Sequence, residues 1–418
     1  MLQNGNFAKI TQQIQSMNLY NFELTAGSRE GSKNHPKVNA HIHTPHSYSA
    51  FTDIEQPFMM AQTEGISVLG INDFYTTDGY PEFAVLAKKY RIFPLFNIEF
   101  MALQKEEQQA NIRINDPQNP GRTYLSGKGL QYPTKMSEAS AAILQKVQQE
   151  SNLQTFAMIE KLNLHLQQSG INIHLEAGKI KNDLARNLLR ERHIATALRQ
   201  EMEILATDPT VRKQLYTQLF SGITPVSDTM NHAALENEIR NRMLKAGGPA
   251  YVAENEQAFL SLNEVMELII DAGGIPCYPV LLDDNAGNYT DFEANFEAMA
   301  NTLAEKNIFM VELIPGRNDF EAVKRFVHYF SDRNFTITFG TEHNTPLLEE
   351  LTVSCRGKVP LDSALTEENA RGAAIIAAHQ YLTQRGLPGF PVKTQPTKER
   401  FAELESIGRQ VIDQFTNQ

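Results

Sequence analysis

The sequence predicts an α/β fold built on a parallel sheet, and three observations carry that prediction. Short buried-type apolar runs alternate with helical patterns over residues 38–103. The alternation is interrupted over residues 134–245, where apolar residues recur every three or four positions, and it resumes over 262–339. Acidic and histidine side chains collect where the predicted strands end. Strands that alternate with helices pair in parallel, and the working groups of such sheets gather at the carboxyl ends of the strands.

The elements follow in order. Residues 1–37 read as an arm, with a short helix over 7–17 and a Gly-, Ser- and Lys-rich stretch over 25–37. Strands are predicted at 38–43, 67–72 and 92–103, with helices at 54–64, closed by Gly65, and 80–90 between them. Residues 111–129 carry Asp-Pro, Asn-Pro-Gly and Gly-Lys-Gly pieces and read as an ordered loop. That loop is not a phosphate-binding P-loop: the gap from Gly121 to Gly127 is one residue too long, and Gly129 follows Lys128 where Ser or Thr is required. Arg122 and Lys128 are candidates to face a substrate anion, with a solvated surface position as the plain alternative.

Helices are predicted at 139–162, 180–202 and 211–219, forming a helical insertion. The alternation then returns with helices at 262–272, 295–306 and 319–330 and strands at 275–280, 309–314 and 336–339. Two last helices, at 367–384 and 398–415, flank a Pro-rich link. The organisation expected is an arm (1–37), a discontinuous barrel (38–133 and 246–350), a helical insertion (134–245) and a C-terminal helical extension (351–418).

A formal charge of −11 and a pI near 5.5 argue against a general electrostatic grip on nucleic acid. Cys277 and Cys355 are far apart, which excludes a disulfide scaffold and a cysteine zinc site and fits a reducing compartment. The first fifteen residues lack the basic and apolar regions of a signal peptide, and no apolar run is long enough to span a bilayer. A cytoplasmic location is expected.

His41 and His43 carry the chemistry. Side chains of a strand repeat every second residue, so the two imidazoles share one face, an arrangement suited to a divalent ion. Alone, the pair reads better as two surface histidines on a hairpin. Ligand-type residues also stand at the other strand ends: Asp73, Glu99, Glu312, and Glu342 with His343. Asp73 has a plain reading as a turn cap, and His343 as a structural histidine. Glu99 lies between Ile98 and Phe100, where a carboxylate is costly unless it is paired or ligating. Shared chemistry at separate strand ends points to a metal site.

These residues resemble the polymerase and histidinol phosphatase (PHP) superfamily of metal-dependent phosphoesterases. Its first motif, H-x-H-T-x-x-S, is matched by His41-Ile-His43-Thr44-Pro-His46-Ser47. Its T-D-H and D-G motif is similar to Asn72-Asp73-Phe74 and Asp78-Gly79, and its G-x-E to Asn97-Ile98-Glu99. The subgroup with a helical insertion has R-x-H-I-A-x-A-L, close to Glu191-Arg192-His193-Ile-Ala-Thr-Ala-Leu198, then P-A-Y-V and G-G-I-P, as at Pro249–Val252 and Gly273–Pro276. The final G-S-D-x-H resembles Gly340-Thr341-Glu342-His343. The departures are Ser49-Ala50-Phe51 where an aspartate is expected, Phe74 and Tyr278 at ligand-histidine positions, and Glu342 for aspartate.

The resemblance implies a distorted (β/α)7 TIM-like barrel that hydrolyses a small phosphorylated metabolite or nucleotide with metal-activated water. It implies divalent ions (Zn, Mn or Fe), with one full site from His41, His43, Glu99 and Glu342 or His343, and at most a partial second. Asp73 would be a ligand or the base that orients water. Arg192 would hold the substrate phosphate with His193 beside it as a catalytic group, although their run reads equally as an amphipathic helix. The helical insertion would act as a lid. A small phosphorylated substrate is expected, with no stable nucleic-acid complex and no membrane partner. The alternative is a degenerate barrel that binds a metal or ligand with little or no catalysis. A hydrolase of C–N bonds ranks last, because no strand-end lysine offers to bridge metals.

Overall fold

The computed structural model describes residues 19–24 and 35–417. The helix predicted at 7–17 lies outside them. Among the described residues seven strands form one sheet in chain order: β1 (Lys37–Ile42), β2 (Ile66–Phe74), β3 (Phe93–Leu103), β4 (Arg122–Lys128), β5 (Ile275–Val280), β6 (Met310–Leu313) and β7 (Thr336–Phe339). β3 is buried at every position, which is why it reads as a near-continuous apolar run. Helices α1 (Glu55–Glu64) and α2 (Tyr80–Tyr90) follow β1 and β2. The α/β class and the distorted barrel expected from the sequence are both present.

One strand runs the other way. The segment expected to be a loop contains β4, which pairs antiparallel with both β3 and β5, while the remaining neighbours pair in parallel. Tyr124, Ser126 and Lys128 share one face by the period of two. Ser126 and Lys128 bond to polar side chains inside the barrel, whereas a Cβ at Gly127 would touch Ile269 outside it. A strand whose inward face is polar has no apolar alternation to reveal it, so its sequence looks like a loop.

The sheet closes where the site lies. Ile42 bridges Glu342 in parallel, Thr341 and Glu342 both donate backbone N–H to the His41 carbonyl, and His43 N–H donates to the Glu342 carbonyl. A Cβ built at Gly340 would lie 2.3 Å from His41 Cβ, so only glycine lets the end of β7 approach β1 this closely. Gly340→Ala is expected to spread this seam and cost about 1–3 kcal/mol, measured by urea unfolding, with His41 displaced.

The insertion has a core of its own. α3 (Glu138–Gln168) starts in the barrel core through Leu144 and Val147 and ends in a second cluster through Met158, Leu162 and Leu166. That cluster joins α4 (Ala177–Asp183), α5 (Glu191–Leu205), α6 (Pro209–Leu219) and α7 (His232–Ile239). The single helix expected at 180–202 is two, because residues 184–190 break it, with Arg186 in the left-handed region at φ 52°.

α8 (Leu262–Asp271), α9 (Phe296–Glu305) and α10 (Phe320–Ser331) complete the outer layer. α11 (Ser363–Gln384) packs against β7 and β1, where Asn369 accepts from Phe339 N–H and donates to the Val38 carbonyl, and α12 (Lys398–Thr416) packs on α11. Among the described residues no helix is long and apolar enough to cross a membrane.

Candidate metal centre

His41, His43, Glu99 and Glu342 each bring a ligand atom to one place, and these atoms all lie within 4.8 Å of one another. The three residues His41, His43 and Glu99 are buried, and Glu342 is half-buried at the rim. β1 supplies His41 and leads into His43, β3 supplies Glu99, and the turn after β7 supplies Glu342.

The hydrogen bonds fix the imidazole tautomers. His41 Nδ1 lies 2.9 Å from Glu312 Oε2, and a carboxylate only accepts, so the Nδ1 proton sits there. His43 Nδ1 lies 3.0 Å from Ser47 Oγ, whose own hydroxyl donates to Asp73 Oδ1 at 2.6 Å, so Ser47 accepts from His43. Both Nε2 lone pairs are thereby left facing one another across 3.2 Å. Two acceptor nitrogens at that distance repel, and a cation bound by both would relieve them. Orientation of each ligand histidine through its other nitrogen is how metal-binding imidazoles are held. The Asn72 amide, whose Oδ1 accepts from Lys128, donates an N–H toward His41 Nε2 at 3.0 Å, a hydrogen bond that a ligated metal would displace.

The charge states agree with the geometry. Burial lowers His41, against the pull of Glu312, and burial together with His41 lowers His43 further, so both rings are neutral and able to ligate. Burial and the neighbouring Glu312 push the Glu99 carboxyl up to about 8. Glu99 Oε2 is 3.6 Å from His43 Nε2. A buried carboxylate facing neutral imidazoles calls for a cation. The donor set therefore fits a divalent ion.

A cavity of about 310 Å³ opens onto the cluster, with Tyr124, Glu312 and Arg317 among its walls. Arg317, about half exposed, pairs with Glu342 at the rim. Arg190 lies over the Phe74 ring, 4.2 Å from its centroid, and makes no ion pair among the described residues. Neither arginine was singled out from the sequence. Arg190 precedes α5 and Arg317 follows β6, and only folding sets both within electrostatic reach of Glu99, Arg317 on the wall of this cavity and Arg190 on that of its neighbour.

The other sequence candidates lie elsewhere. Asp73 faces away from the cluster, since it follows Asn72 on β2 and alternate residues point oppositely. It accepts from Thr44 N–H at 2.7 Å, Thr44 Oγ1 at 2.5 Å and Ser47 Oγ, and so braces the loop that holds His43. Burial raises its pKa to about 6 against these hydrogen bonds. Asp73→Asn is expected to weaken metal affinity about ten- to a hundredfold, read by calorimetric titration.

His343 is also turned away. Glu342 and His343 both adopt positive φ, at 68° and 56°, and this tight reversal sends their side chains apart. His343 stacks on Phe51 with ring centroids 4.7 Å apart, and its nitrogens engage Thr341 Oγ1 and the Glu349 carbonyl. Phe51, found where the resemblance expects an aspartate, is its packing partner.

His193 is occupied as part of a helix cap: its Nδ1 accepts from Arg190 N–H at 2.9 Å, and its ring packs edge-on to Tyr48. Arg192 bonds Asn237 and lies 5.6 Å from the Tyr48 ring centroid. Arg122 pairs with Glu254 and shares with Arg190 the lining of a neighbouring polar cavity of about 460 Å³.

Lys128 is not a surface cation but fully buried inside the barrel, on Glu312 and Asn72. Tyr278 takes its hydroxyl to Glu293 at 2.9 Å, away from the cluster, because Cys277 holds the inward position on β5 beside Glu312 and Lys128.

No family model matches the sequence, and no curated protein matches it. Among solved structures, a Bifidobacterium adolescentis protein described as a candidate metal-dependent phosphoesterase aligns over 82% of this chain and 98% of its own, with a TM-score of 0.52 and 14% identity. What this likeness shows is the fold, a distorted α/β barrel. A Chromobacterium violaceum amidohydrolase also aligns, over 80% of this chain and 96% of its own, with a TM-score of 0.48 and 14% identity. Within this barrel the His/Glu cluster draws His41 and His43 from the carboxyl end of β1, Glu99 from the middle of β3 and Glu342 from the turn after β7, and carboxyl strand ends are where barrel sites are built.

Proposed function

We propose that the protein is a metal-dependent phosphoesterase acting on a small phosphorylated molecule or nucleotide. The observation that carries this reading is the pair of Nε2 acceptors turned to one point beside Glu99 and Glu342. A divalent ion held there supplies Lewis acidity toward a phosphoryl oxygen and toward water. Arg317 on the cavity wall and Arg190 in the neighbouring cavity, both within electrostatic reach of Glu99, carry planar donors suited to phosphate oxygens, and Arg190 has no carboxylate to leave first. Glu312 and the Ser47–Asp73 pair keep the two imidazoles in the ligating tautomer.

The competing reading, a barrel that keeps its metal but not its catalysis, is favoured by Phe74 at a motif position and by Asp73 lying outside the cluster. Assay of an aryl phosphate and a nucleotide panel with added Mn²⁺ or Zn²⁺ separates the two. Turnover that disappears with chelator supports the esterase; metal retention without turnover on any substrate supports the alternative. Arg190→Ala is expected to raise KM about ten- to a hundredfold, the worth of one charge-assisted contact, with a smaller effect on kcat.

A further inference from the structure

Lys128 has no place in the chemistry above, yet it is completely buried beneath the centre. Its Nζ lies 2.5 Å from Glu312 Oε2 and 3.1 Å from Asn72 Oδ1. The same Oε2 takes the His41 Nδ1 proton, and the other oxygen of Glu312 takes the Ser126 hydroxyl at 2.5 Å. A lysine is almost never fully buried unless paired, and here the pairing is with the carboxylate that orients a candidate ligand. We propose that the centre is mononuclear by construction, because the Lys128 ammonium occupies the place on Glu312 and Asn72 that a second divalent ion would need. The inference rests on the reading of His41, His43, Glu99 and Glu342 as a metal centre.

Three physical points support it. An ammonium group has three donors and no acceptor, so Lys128 satisfies Glu312 and Asn72 without ligating anything itself. A fixed positive charge beside His41 repels any further dication on that side, and the low-dielectric interior screens the repulsion little. On the outer side Arg317 already pairs with Glu342, and the positive charge of Arg190 acts on His43. With a neutral residue at 128, Glu312, the Asn72 carbonyl and the Cys277 thiol, which lies on β5 opposite Ser126, would face one another without a cation. Carboxylate oxygen and cysteine sulfur, once the thiol loses its proton on binding the ion, are donors that zinc accepts.

The test is the stoichiometry of Zn²⁺ on the metal-stripped full-length protein, read by calorimetric titration and by elemental analysis after dialysis. The wild type is expected to hold one ion per chain even at excess Zn²⁺, Lys128→Arg one, and Lys128→Met two. Lys128→Gln carries the same expectation as Met should the Met variant fail to fold. Two or more ions in the wild type overturn the proposal and leave the centre standing. One ion in both wild type and the neutral variant also overturns it. No ion in the wild type overturns the centre itself.

Discussion

Glu312→Ala is expected to destabilise the fold by about 3–5 kcal/mol, the cost of leaving one partner of a buried ion pair alone. Lys128 is fully buried and its charge is matched by Glu312, so removal of the carboxylate strands an ammonium in the barrel interior. Burial acts to raise the Glu312 pKa, but Lys128 and His41 outweigh it and hold the carboxyl well below the usual range. By linkage, a depressed carboxyl stabilises the fold above its unfolded pKa and loses that contribution as pH falls toward the folded value. The penalty of Glu312→Ala should accordingly be full at neutral pH and shrink in strong acid. Urea unfolding of the metal-free proteins measures it, and a loss under 1 kcal/mol at pH 7 would contradict the buried-pair account. Glu312→Gln keeps the shape and an acceptor but not the charge, so it should fall between.

His41→Ala is expected to lower metal affinity by well over about a hundredfold, more than loss of an orienting partner costs, and to abolish metal-dependent turnover. The imidazole contributes one of two facing Nε2 atoms, and no neighbouring residue can replace it because Asn72 and Glu312 are bonded to each other's partners. Equilibrium dialysis with Zn²⁺ reads the affinity. Retained binding with lost turnover would place the ion elsewhere and leave His41 a role in the reaction alone.

Much of this site was legible because strand geometry is simple. The spacing of His41 and His43 put them on one face, and a carboxylate at Glu99 within an apolar run had no other good explanation. The same period of two, applied to Asn72-Asp73-Phe74, would have turned Asp73 away from the cluster; the residue type outweighed the geometry. For His343 no such rule was available, since two successive left-handed residues decide which neighbour points inward.

β4 was missed because its inward side chains are polar, and with it went Lys128, which looked like a loop cation. Its partner Glu312 stood out in the sequence only as one more strand-end carboxylate. Arg190 and Arg317 carried no signal at all, being brought near Glu99 from the insertion and the turn after β6.

The central claim is that a divalent ion sits between the Nε2 atoms of His41 and His43. Anomalous diffraction from crystals of the Zn²⁺-loaded protein, collected on both sides of the zinc edge, locates the ion directly. A peak within bonding distance of both Nε2 atoms, with Glu99 and Glu342 completing the shell, is the predicted result. A loaded protein with no peak there, or with zinc bound only at other residues, would contradict it.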